Sequence, residues 1–108
     1  MKLSLQERID PSNRETMPAL SAALTGSDLD ATLMATDVAK RLGPKAVGIL
    51  PSLLTATRHP NRSVRLGAVQ ALERVAPKVN GVTARLRELL KDPDPYVRFA
   101  AKSALRLD

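Results

Sequence analysis

The stretch Leu-Leu-Lys-Asp-Pro-Asp-Pro-Tyr-Val-Arg-Phe-Ala-Ala-Lys-Ser-Ala-Leu, residues 89–105, decides the fold. Its Val97-Arg98 pair stands 33 residues after an identical pair, Val64-Arg65. Laying residues 42–75 over 75–108 without a gap pairs Pro44 with Pro77, Lys45 with Lys78, Gly48 with Gly81 and Leu53 with Leu86. It also pairs Pro60 with Pro93, Ala68 with Ala101, Ala71 with Ala104 and Leu72 with Leu105. Conservative matches such as Ile49 with Val82 lie between them. Self-similarity at a fixed period of this size is the mark of a repeat architecture. One further step back finds an eroded copy: Pro18 precedes Pro51, Leu20 precedes Leu53, Leu33 precedes Leu66 and Ala35 precedes Ala68 by the same interval. In the last copy Ala84 replaces that proline. Three repeats follow, at approximately 14–42, 43–75 and 76–108, within a single domain spanning 1–108.

Each repeat reads as two helices. In the middle copy the first is expected over Lys45–Thr57, with Val47, Leu50, Leu53 and Leu54 at helical spacing. The second is expected over Asn61–Val75, where Val64, Ala68, Ala71, Leu72 and Val75 share one face of a 3.6-residue period. His59-Pro60-Asn61 and Asp92-Pro93-Asp94-Pro95 stop the first helix and supply Asn61, Ser63 or Asp94 to cap the second. Pro44 and Pro77 suit the opening turn of a first helix, where no N–H is required. Pro51, echoed by Pro18, is expected to bend the first helix around its neighbours. Small residues at Gly67, Ala68, Ala71, Ala100, Ala101 and Ala104 allow helices to approach closely.

These features make residues 89–105 resemble the HEAT repeat, in the variety also called HEAT-like phycobilisome-lyase repeats. The resemblance rests on a proline in the first helix (Pro18, Pro51), an aspartate in the turn (Asp92) and a Val-Arg pair opening the second helix (Val64-Arg65, Val97-Arg98). It covers roughly residues 14–108 and implies an all-α, right-handed solenoid of three two-helix units. It also implies a ladder between turn aspartates and second-helix arginines. Here the turn position holds His59 in the middle copy and Gly26 in the first, and Ala31-Thr32 replaces Val-Arg in the first. Only Arg65, Asp92 and Arg98 remain, enough for one rung at most.

Three repeats are about the minimum that can share a core. With aromatics at 2 %, that core must be Leu, Val, Ile and Ala. Met1–Asp10 reads either as an N-terminal capping helix, with Ser4-Leu5-Gln6-Glu7 as its capping box and Leu3, Leu5 and Ile9 turned inward, or as a frayed tail. Leu107 and Phe99 are placed at an uncapped end, a surface for self-association or for the next unit of a longer solenoid. The chain has no cysteine, no apolar run long enough for a bilayer and no signal-peptide pattern, which points to a soluble cytoplasmic protein with no membrane partner.

The net charge of +6 is unevenly placed. Residues 1–54 carry 6 basic and 6 acidic side chains, whereas 55–108 carry 11 basic and 5 acidic. Such asymmetry points to an anionic partner for the C-terminal repeats. The resemblance implies that second helices line the concave side, which would place Arg62, Arg65, Arg74, Arg98, Lys102 and Arg106 along one basic strip. Arg85, Arg87 and Lys91 would lie elsewhere, on the convex side. Three readings of the strip stand beside one another. It is a solvated face with Arg65 and Arg98 as ladder residues, a groove for an acidic protein segment, or a track for duplex phosphates. Single strands want aromatic platforms, and Tyr96 and Phe99 are the only aromatics, with Phe99 a candidate for burial.

Catalysis has little support. His59 is the sole histidine, it precedes Pro60 in a turn, and no carboxylate neighbours it in sequence. One histidine with no cysteine does not make a metal site. Asp92-Pro93-Asp94-Pro95 and the Asp28, Asp30 pair read as helix stops and caps, and Gly43-Pro44-Lys45 lacks the remaining glycines and the Ser/Thr of a phosphate loop. HEAT-like DNA glycosylases and phycobilin lyases place catalysis or chromophore handling on this fold. The glycosylase sites use aromatics that this chain does not supply. The sequence therefore points to a non-enzymatic interaction scaffold without a cofactor, binding an acidic protein partner, with duplex nucleic acid as the alternative ligand.

Overall fold

The computed structural model describes residues 14–107. The expectation for Met1–Asp10, including Leu3, Leu5 and Ile9, lies outside them. The described residues form α1 (Thr16–Thr25), α2 (Leu29–Leu42), a 3-10 helix (Gly43–Ile49), α3 (Leu50–Ala56), α4 (Arg62–Val75), α5 (Asn80–Leu89) and α6 (Pro95–Ala104). Helices pair within each repeat, α1 on α2, α3 on α4 and α5 on α6. Between repeats the second helices stack, α2 on α4 on α6, and α1 packs on α3. The result is an elongated helical solenoid of 47 × 25 × 18 Å.

The period of 33 reappears as burial. Leu20, Leu53 and Leu86 are all fully buried, as are Ala35, Ala68 and Ala101, and Val64 and Val97. One apolar residue per helix face, repeated at this interval, makes a continuous aliphatic core that each unit shares with its neighbours. Caps fall where the turn chemistry placed them. Asn61 Oδ1 accepts from the N–H groups of Ser63 and Val64, Asp94 Oδ2 accepts from Val97, and Asp28 Oδ1 accepts from Ala31. Each satisfies donors that the first helical turn leaves free.

The first helix of the middle repeat departs from the expected Lys45–Thr57 span. Residues Gly43–Ile49 form the tighter 3-10 helix, and α3 begins only at Leu50. Pro51 is the reason. It has no N–H for the Val47 carbonyl, and its ring crowds that carbonyl in a continuous α-helix. Pro51 therefore sits in the first turn of α3 rather than bending a longer helix, and Pro18 sits likewise in the first turn of α1. The tighter winding leaves Val47 55 % exposed and buries Ala46 and Ile49 instead, correcting Val47 as a core position. Pro44 does open the 3-10 helix, whereas Pro77 lies in the turn before α5.

Two glycines are required by geometry. Gly43 ends α2 at φ +59°, a left-handed conformation open to glycine, and its N–H bonds the Ala39 carbonyl. At Gly67 a Cβ would stand 2.6 Å from Thr36 Oγ1, so its absence sets how closely α4 approaches α2. Ala68, Ala71, Ala101 and Ala104 are buried, as their small size implies.

Candidate functional site

Several side-chain hydrogen bonds and ion pairs meet at the turn Asp92–Asp94, between α5 and α6. Arg65 reaches it from α4. Its Nε donates to Asp92 Oδ2 at 2.9 Å and its Nη2 to Asp92 Oδ1 at 3.1 Å. Nη1 donates to the carbonyls of His59 and Pro60, at 3.0 and 2.9 Å, in the turn of its own repeat. Asp92 Oδ1 also accepts from Asp94 N–H. Both partners are largely buried, with side-chain exposures of 14 % and 5 %. Burial pushes the Asp92 carboxyl up. The Arg65 hydrogen bonds, the Asp94 N–H and the charges of Arg65 and Arg85 outweigh it and hold the group below its ordinary range. This is the single rung that the sequence allows. In the first repeat Thr32 takes the place of Arg65 and bonds the Ala23 and Asp28 carbonyls instead.

The six basic residues of the expected strip divide four ways. Arg62, Arg65 and Arg98 converge on the Asp92–Asp94 turn: Arg62 pairs with Asp94 at 3.5 Å, and Arg98 Nη1 donates to the carbonyls of Asp92 and Pro93 at 2.7 and 3.1 Å. Lys102 stands further along α6, beside Phe99, Ser103 and Leu107 around a hollow of about 270 Å³. Arg106 joins Lys78 and Arg87 around a separate hollow of about 220 Å³, on the α5 side of α6. Arg74 is exposed in the last turn of α4. Arg65 has its donors engaged inside the fold, so it is a tie between repeats, while Arg62, Arg98 and Lys102 are exposed.

Two features had little or no sequence signal. Arg85 is a second inter-repeat tie. Its Nε donates to Thr57 Oγ1 at 2.9 Å and its Nη2 to the Thr57 carbonyl at 3.2 Å, just past the end of α3. Burial, and then the nearby Arg58, lower its pKa from the ordinary arginine value. The equivalent residue one repeat earlier is Ser52, which hydrogen-bonds Ser21 of α1, so this position joins first helices by different chemistry in each interface. The other feature is aromatic. Tyr96 and Phe99 are 69 and 73 % exposed, which corrects the candidate burial of Phe99. Val97 faces the core, and its neighbours at 96 and 99 turn away from it. Leu66, Gln70 and Glu73 of α4 meet Tyr96, Phe99, Ala100 and Ser103 of α6 around a hollow of about 200 Å³.

His59 Nδ1 accepts from the Asn61 N–H at 3.0 Å, a turn-shaping role. Among the described residues no three His, Cys, Asp or Glu side chains gather in a metal-binding group, and no helix is long and apolar enough to cross a membrane.

A family model described as HEAT repeats matches residues 16–106. No curated protein and no solved structure matches the chain. The 33-residue period, the stacked helix pairs, the aspartate–arginine rung and this match agree, and the chain belongs to the HEAT repeat family.

Proposed function

We propose that the chain is a protein-binding scaffold, not an enzyme, and that it engages an acidic partner through its second helices with Arg62, Arg98 and Lys102. The observation that carries this reading is the use of the polar groups. Arg65, Arg85, Asp92, Asp94 and His59, the groups best suited to chemistry, are taken up by caps and inter-repeat ties. Both aromatics, by contrast, face outward beside exposed cations on α6. Exposed aromatics with arginine are the side chains that dominate protein interfaces. Stacked helical repeats provide an extended surface for such contacts.

Duplex nucleic acid is the second reading. It is favoured by the sequence pI of about 10.3 and by the Lys78, Arg87 and Arg106 cluster, whose hollow no carboxylate of the described residues lines. One titration separates them. The purified chain is mixed with a short generic duplex at low and moderate salt, and with each purified protein that co-isolates with it. Saturable binding of a protein, with weak duplex binding, supports the scaffold. Tight duplex binding with a steep salt slope and no protein ligand overturns it.

A further inference from the structure

Arg98 is a rung arginine without a rung. Arg65 and Arg98 stand one period apart and use Nη1 in the same way, each bonding two carbonyls of the turn that precedes its own helix. That anchorage fixes the guanidinium of Arg65 so that Nε and Nη2 meet Asp92 of the following repeat. The same edge of Arg98 has no carboxylate opposite it among the described residues. A guanidinium held by its own turn has already lost much of its rotamer freedom, so a carboxylate that meets it gains a two-pronged bond at reduced entropic cost.

The residues around Arg98 narrow what can dock. Val69 of α4 is fully buried, and its equivalent on α6 is the exposed Lys102. Leu66 is half-buried, and its equivalent is the exposed Phe99. An apolar surface laid on α6 as α6 lies on α4 would trap the Lys102 ammonium, which is strongly unfavourable unless it is paired. The occupant must therefore bring carboxylates for Arg98 and Lys102 and an apolar face for Phe99 and Tyr96. A second copy of this chain docked by the same face opposes Arg98 and Lys102 with like charge, and its net charge is +6. Phosphate backbones bring no apolar face. We propose that α6 docks an acidic amphipathic helix of a partner protein, whose carboxylate completes the ladder at Arg98. This rests on the scaffold reading and assigns its surface.

The probe is a synthetic amphipathic helix with a leucine stripe flanked by Asp and Glu, together with its Asn/Gln twin, titrated into the full chain by fluorescence anisotropy. The acidic peptide is expected to bind saturably and about tenfold more tightly than its twin. Arg98→Lys, which keeps the charge and loses the fork, should weaken binding several-fold. Phe99→Ala should weaken it about tenfold, and Lys102→Gln should weaken it too. Lys78→Gln with Arg87→Gln, on the other side of α6, should leave it unchanged. Matching thermal melts keep folding out of the comparison. Equal affinity for both peptides, no binding, or equal loss from the Lys78 and Arg87 variants overturns the proposal. Acidic-peptide binding untouched by Arg98→Lys and Phe99→Ala overturns this surface while leaving the scaffold reading standing. Competition by duplex DNA at moderate salt overturns both.

Discussion

Arg65 of one repeat grips Asp92 of the next with two parallel hydrogen bonds, 2.9 and 3.1 Å long, in a largely buried site. A buried pair is costly to break from one side, because the survivor keeps its charge and loses its partner. Asp92→Leu should therefore destabilise the fold by about 3 kcal/mol, whereas Arg65→Met with Asp92→Leu should cost clearly less than those two single changes combined. Urea midpoints of the three variants check this. Simple additivity would show that the pair is not coupled.

The same carboxylate makes stability depend on pH. The folded pKa of Asp92 lies below the ordinary 3.8, so the folded state favours its charged form. Its contribution is present in full above the unfolded value and is lost as pH falls through 3.8 toward the depressed folded value. Asp92→Asn removes that titration. The wild-type acid limb should be steeper than that of the variant below about pH 4, as read by denaturant midpoints across the acid range. Superimposable limbs would be the contrary result.

Gly67 is set by the neighbouring helix. An alanine there would stand 2.6 Å from Thr36 Oγ1 and 3.1 Å from Thr36 Cβ. The helix-propensity gain of about 1 kcal/mol should be outweighed by overpacking, for a net loss of about 1 kcal/mol. Thr36→Ala removes the nearer atom, so the double variant should recover part of that loss. A stabilised Gly67→Ala variant would mean that α4 and α2 separate freely.

Asp94 caps α6 through Val97 N–H while pairing weakly with Arg62, which is 73 % exposed. Asp94→Ala should cost about 1–2 kcal/mol and Asp94→Asn much less, since Asn is as good a cap. Arg62→Ala should shift thermal unfolding little, because exposed pairs are weak. Equal losses for Asp94→Ala and Asp94→Asn would mean that the charge, not the cap, matters.

Phe99→Ala and Tyr96→Ala should leave stability within about 0.5 kcal/mol of wild type, as exposed positions do. Leu86→Ala, at a fully buried position, should cost about 3 kcal/mol. A large loss at Phe99 would place that ring in the fold rather than on an interface.

Much of this was legible because the repeat supplied its own comparison. Burial at Leu20, Leu53 and Leu86 and the caps at Asn61 and Asp94 follow from residues aligned at 33, and the one rung at Arg65 and Asp92 follows from the resemblance to HEAT repeats. What the period does not carry was harder. Arg85 and Thr57 are 28 residues apart, and the equivalent of Arg85 is a serine, so no repeated pattern marks that tie. The division of the basic strip depends on which way each side chain leaves its helix. Arg98 and Lys102, one turn apart, stay near Phe99, while Arg106, another turn on, adopts φ +58° and joins Lys78 and Arg87. The 3-10 helix was signalled by Pro51, but the same proline also fits a bent helix, and only the Leu50 N–H to Val47 carbonyl bond decides between them.

The ties that join the repeats are short in sequence. Arg65 to Asp92, Arg85 to Thr57, Ser21 to Ser52 and Arg62 to Asp94 span 27, 28, 31 and 32 residues. Each closes a loop of about one period, so closing one does not require the others to be in place first. Pulled from its two ends, such a chain yields in steps, one inter-repeat seam after another. Three of these four ties lie in the seam between the second and third repeats, so that seam leans on polar contacts, whereas the seam between the first and second leans on helix packing.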